Sequence, residues 1–73
     1  MALVTMQRSV PGYQIVERFG FVYGDGPDVL NVSGALAEQA DGLGANYVIA
    51  AQFNEIGDEV SATGYAVMLE RIG

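Results

Sequence analysis

The 73-residue chain has no cysteine, no histidine and no lysine, and each absence removes a class of chemistry. Without cysteine there is neither a disulfide framework nor a thiolate metal site. Without histidine the commonest general base and the commonest transition-metal ligand are gone. Without lysine there is no Schiff base and no Walker-type phosphate lysine. Cations are scarce altogether: three arginines stand against nine Asp and Glu, a formal net charge of −6. That balance argues against a nucleic acid polymer or an anionic membrane as partner. No uninterrupted apolar run reaches the ~18 residues of a membrane-spanning helix. Tyr47–Ala51, as long as any, is strand-sized. Met1–Pro11 lacks the apolar core of a secretory signal.

What is present is apolar. Hydrophobic residues make up 51% and charged residues only 16%, against about 45–50% and about 25% in ordinary soluble domains. A chain this short buries only about 60% of its unfolded surface and should be comparatively polar. With no disulfide available, oligomerisation is the remaining common stabiliser. The length admits one domain, 1–73, with residues 1–12 as an N-terminal arm or short strand and 13–72 as the core. A cytoplasmic homo-oligomer is the expectation.

Along the chain, Leu3, Val4 and Met6 form an extra strand, an arm onto a neighbour, or part of a disordered terminus. Pro11-Gly12 marks a turn. Gln14–Tyr23 reads as a strand with apolar residues on both faces: Ile15, Glu17, Phe19, Phe21 and Tyr23 on one, Gln14, Val16, Arg18, Gly20 and Val22 on the other. Gly20 suggests a bulge or a close backbone approach. Gly24–Asp28 is a turn cluster. A helix follows, capped by Asp28 or by Asn31, with its stripe at Val29, Val32, Leu36, Ala40 and Leu43. Gly34 weakens it or permits close packing on the sheet, and Gly44 is the natural left-handed residue at its end. Ala45–Ile56 is the second strand, with Tyr47, Ile49, Ala51 and Phe53 on one face and Val48, Ala50, Gln52 and Asn54 on the other. Gly57-Asp58 suits a two-residue hairpin loop. Val60–Ile72 is the third strand, with Ser61, Thr63, Tyr65, Val67 and Leu69 sharing a face. The fold class predicted is α+β, a β-α-β-β subunit whose three-stranded antiparallel sheet carries one helix on one face. One helix covers one face only, so a neighbouring subunit is expected on the other.

Three stretches carry a family resemblance. Gly12-Tyr13-Gln14-Ile15-Val16-Glu17 has a G-x-x-I-V-E form; Ala40-Asp41-Gly42-Leu43-Gly44-Ala45-Asn46 has A-x-x-L-G-A-[ND] before a branched-apolar strand; Gly64-Tyr65-Ala66-Val67 has G-x-A-V. Together they make most of Gly12–Arg71 similar to the YbjQ-like family, described as heavy-metal-binding and of unknown function. The resemblance implies a β-α-β-β subunit assembled in a ring, commonly a pentamer. Family members carry a longer insertion between the first strand and the helix, here reduced to Gly24–Asp28, so binding residues lodged in that insertion are missing. Dodecin is similar in subunit order and sequesters flavins between subunits, a likeness of topology that does not transfer function.

The metal that the family description implies would fall to Asp25, Asp28, Glu55, Asp58 and Glu59, since soft-metal ligands are absent. The alternative for these residues is a helix cap and solvated turns. Arg18, set among apolar residues, can hold a carboxylate or phosphate bidentately, or can pair with Glu17 or Glu70. The aromatics Tyr13, Phe19, Phe21, Tyr23, Tyr47, Phe53 and Tyr65 are either packing residues or walls on which a ring stacks. The ligand-binding set expected is Arg18, Tyr23, Tyr47, Tyr65 and Arg71, with no catalytic residue, no metal ligand and no cofactor. The function expected is non-enzymatic: a homo-oligomer that sequesters a small, anionic or nucleotide-like molecule between subunits. A purely structural oligomer and a carboxylate metal module are the alternatives.

Overall fold

A computed structural model describes residues 1–73. Its elements are β1 (Leu3–Val4), β2 (Tyr13–Gly26), α1 (Val29–Leu43), β3 (Tyr47–Ile56) and β4 (Glu59–Arg71). The architecture is α+β, with one helix against one sheet. The sheet has four strands in the order β1-β3-β4-β2, not three. It is mixed: β4 is antiparallel to both β2 and β3, and β1 is parallel to β3. The expected three-stranded antiparallel sheet is therefore corrected by the lead-in. Leu3 and Thr5 donate their N–H groups to Asn46 and Val48, at 3.1 and 2.9 Å, and so satisfy the outer edge of β3. An unpaired edge would otherwise leave those backbone groups to solvent or to another chain.

The helix ends follow local chemistry. Asp28 accepts from the Asn31 N–H at 2.8 Å, and the Asn31 side-chain amide donates to the same carboxylate at 3.0 Å. Asn31 is thus the partner of the cap and not its rival. At the other end Gly44 has φ 90. Its N–H donates to Asp41 O at 3.1 Å and that of Ala45 to Ala40 O at 3.0 Å, the pairing of a Schellman motif. Val32, Leu36, Ala37 and Ala40 are buried on the sheet, while the ends of the stripe, Val29 and Leu43, stay half-exposed. The close approach of helix and sheet does not use Gly34, around which there is open space; it uses Gly24, where a Cβ would lie 3.1 Å from the Ala35 Cβ.

Three irregularities reassign side chains to faces. In β2 the register with β4 shifts between Ile15 and Glu17 and again between Arg18 and Gly20; in β3 it shifts between Ile49 and Gln52. Each extra residue reverses the alternation beyond it. Phe19 therefore packs into the helix-side core, while Ile15, Arg18, Phe21 and Tyr23 lie on the opposite, outer face. Likewise Tyr47 and Ile49 face outward, whereas Ala51 and Phe53 turn to the helix. Strict period two puts Arg18 on the face opposite Ile15 and Phe21, and Tyr47 on the same face as Phe53. The backbone that permits this includes Gly20 at φ 111 and, unusually for a residue with a side chain, Ala50 at φ 54.

The core has two parts. The larger lies under the helix and contains Val22, Val32, Leu36, Val48 and Val60, with alanines filling between them. The smaller lies on the outer face: Ile49, Val67 and Leu69, with Val10, Ile15 and Tyr47 against them. Val10 shows that the lead-in itself supplies an apolar side chain to the face that the helix leaves open. After β1 the lead-in follows the β3 edge, where Ala50 N–H donates to Gln7 O at 2.7 Å, and then brings Val10 against Ile49, Val67 and Leu69 on the outer face. No helix is long and apolar enough to cross a membrane.

Candidate binding cavity on the outer face

Beside Val10 the outer face holds an open cavity of about 510 Å³, within the ~300–1,000 Å³ of small-molecule sites. Its floor is the sheet itself. β2 contributes Ile15, Arg18 and Phe21; β3 contributes Ile49, Ala50 and Gln52; β4 contributes Thr63, Gly64 and Tyr65; the lead-in contributes Arg8. The β3–β4 approach here depends on Gly64, because a Cβ at that position would overlap the Val48 side chain.

Two features set its chemistry. The first is charge. Arg8 and Arg18 are two of the three cations in the chain, both are exposed, and both line this cavity. No Asp or Glu lines it. Within the chain neither arginine makes an ion pair: the one salt bridge runs from the N-terminal amine to Asp41 at 4.0 Å. The pairing of Arg18 with Glu17 or Glu70 does not form inside the subunit. Glu17 is carried to the other face by the register shift, opposite Met68. The second feature is aromatic. Phe21 and Tyr65 are cross-strand partners whose rings stack with centroids 4.3 Å apart and planes 29° apart. Phe21 is 70% exposed and Tyr65 41%, so an aromatic surface of large area faces solvent.

Of the five residues expected to bind ligand, the structure brings together Arg18 and Tyr65. Tyr23 lies further up the same face, in a separate hollow with Asp25, Ile56, Glu59 and Ser61. Its backbone is bonded both ways by the Gln39 side-chain amide, at 2.7 and 3.1 Å. Tyr47 packs against Ile49, Val67 and Leu69, a role in the smaller core. Arg71 is at the end of β4 opposite Tyr13, outside the cavity. Sequence reasoning named Phe21 only among the aromatics that pack or stack, outside the expected ligand-binding set, and missed Arg8, Gln52 and Thr63. Phe21 and Thr63 could have been found from their alternation with Tyr23 and Tyr65. Arg8 had no such signal, because the path of the lead-in is set by the β3 edge. No three acidic side chains gather into a group able to hold a metal ion. No protein-family model matches the chain, and none of the curated proteins compared with it does.

Proposed function

We propose that the chain is a non-enzymatic binding module that holds a small anionic molecule carrying a planar ring, and that it works as a homo-oligomer whose subunits close over the outer face. The observation that carries this reading is the meeting of Arg8 and Arg18, free of carboxylates, with the exposed Phe21–Tyr65 pair in one cavity. Guanidinium groups without counter-charge are satisfied by an anion, and an exposed aromatic face is satisfied by a ring. A second copy is supported by the apolar surface that surrounds the cavity: Phe21, Tyr23 and Ile56 are all more than half exposed. β2 also presents a 14-residue strand at the free edge of the sheet, bonded at Tyr23 by Gln39. Such a face and such an edge favour association.

Titration calorimetry of the full chain with benzoate and phenyl phosphate tests the reading. Saturable binding of at least one is expected, weakened about tenfold or more in Arg18→Ala, the scale of a lost charge-assisted hydrogen bond. Absence of saturable binding to both overturns it.

A further inference from the structure

We infer that the anionic group is a phosphoryl group, clamped by Arg8 and Arg18 together, and that the ligand class is a nucleoside monophosphate with its base against Phe21 and Tyr65. This rests on the reading of the cavity as an anion site.

A carboxylate is planar and has two oxygens, so the fork of one guanidinium satisfies it. A second arginine in the same cavity would then be left as a like charge with no partner. A phosphate monoester carries about −1.5 to −2 charges near neutrality and three acceptor oxygens in a tetrahedral array. It accepts from two forks that approach from different directions, and it balances both charges.

The arginines do approach from different sides. Arg18 rises from β2, on one flank of the central strand β4, and Arg8 comes from the lead-in beyond β3, on the other flank. Phe21 and Tyr65 lie on β2 and β4, on the Arg18 side of that span. Gln52 and Thr63 are cross-strand neighbours on β3 and β4 in the same cavity. Their amide and hydroxyl groups both donate and accept, which suits the edge of a base or the hydroxyls of a sugar. Three kinds of group thus meet: a dication, a stacking surface, and a polar pair able to read a heterocycle. With net charge −6 on the whole chain, the positive charge is local to this spot and does not extend into a track for a polymer.

Arg8 reaches the cavity only while the lead-in is docked on β3. That docking includes the 2.7 Å bond from Ala50 N–H to Gln7 O. Ala50 holds φ 54 and itself lines the cavity. A ligand gripped by Arg8 therefore also holds the lead-in in place.

The test is calorimetry of the full chain with adenosine monophosphate, adenosine and inorganic phosphate as probes, repeated for Arg8→Ala and Arg18→Ala. Both arginines are exposed and unpaired in the subunit, so both variants are expected to fold, which circular dichroism checks. Adenosine monophosphate should bind about tenfold or more tighter than adenosine and than phosphate. Each variant should weaken its binding by about tenfold or more while changing adenosine binding little. Amide hydrogen exchange at Ala50 should slow when adenosine monophosphate is added. Equal affinity for adenosine and its monophosphate, or an Arg8→Ala variant that binds the monophosphate as the parent does, overturns the clamp. If benzoate still binds through Arg18 in that case, the phosphoryl assignment alone has failed. If benzoate, phenyl phosphate and adenosine monophosphate all fail to bind, the anion site itself is wrong.

Discussion

Phe21 and Tyr65 sit opposite each other on β2 and β4, their ring centroids 4.3 Å apart, on a face that no element of the subunit covers at that point. Cross-strand aromatic pairs contribute to sheet stability, but Phe21 is mostly exposed in the subunit and Tyr65 partly so. Replacing Phe21 by Ala is expected to cost about 0.5–1.5 kcal/mol for the aromatic pair within the subunit, and about 3–5 kcal/mol, measured by urea unfolding, once a second copy closes over the ring as proposed. Tyr65→Phe, which keeps the ring and removes an exposed hydroxyl, should stay within about 0.5 kcal/mol of the parent. The larger loss for Phe21→Ala would mean that the ring is buried in the protein as it exists in solution, as closure by a second copy requires.

Gly64 and Val48 supply a second prediction. A methyl group on Gly64 would overlap the Val48 side chain, buried in the main core between helix and sheet. Overpacking of this kind costs about 1–3 kcal/mol. Gly64→Ala should lower the urea midpoint accordingly. Combining it with Val48→Ala should restore part of the loss, so that the double variant is more stable than the two single losses added together predict. Strict additivity would show that the two positions do not collide.

The cap gives a third. Asp28 accepts from both the backbone and the side chain of Asn31. Asp28→Ala should destabilise the protein by about 0.5–2 kcal/mol, a fall in melting temperature of roughly 4–8 °C per kcal/mol for a domain of this size. Asp28→Ser should retain most of the stability, since it keeps an acceptor. An unchanged melting temperature for Asp28→Ala would contradict the assignment.

These three sites differ in how far they could be read from sequence. The helix, its cap and its Gly44 terminus were legible because each depends on neighbours within a few residues. The Gly57-Asp58 loop was legible for the same reason: Gly57 has φ 62 at the first central position, with Ile56 paired to Glu59. The outer face was not. Alternation predicts faces only while the ladder is unbroken, and three shifts of register moved Arg18, Phe19 and Tyr47 to faces the pattern did not give them. Gly20 gave warning of one shift. Nothing in the run Tyr47–Ala51 announces that Ala50 turns to positive φ, because the cause is tertiary: its N–H meets Gln7 O. Arg8 was hidden for the same reason.

Ala50 yields a fourth prediction. Holding a non-glycine residue in this region costs of order 1–3 kcal/mol, whereas glycine adopts it freely at a cost of about 0.5–1 kcal/mol in the flexibility of the unfolded chain. Ala50→Gly should leave stability unchanged or raise it by up to about 1–2 kcal/mol, and Ala50→Val should lower it. Destabilisation by glycine, seen as a reduced urea midpoint, would show that Ala50 is held by its side-chain packing and not against its backbone preference.

The measurement that bears most directly on the account is native mass spectrometry of the protein purified from cells, run beside Arg18→Ala. It reads subunit number and retained small molecules together. The account predicts an assembly of several 7.7 kDa chains that carries a small anionic adduct, and an Arg18→Ala assembly of the same size that has lost it. A bare 7.7 kDa monomer would contradict both halves of the proposal, and an adduct kept in full by Arg18→Ala would contradict the site.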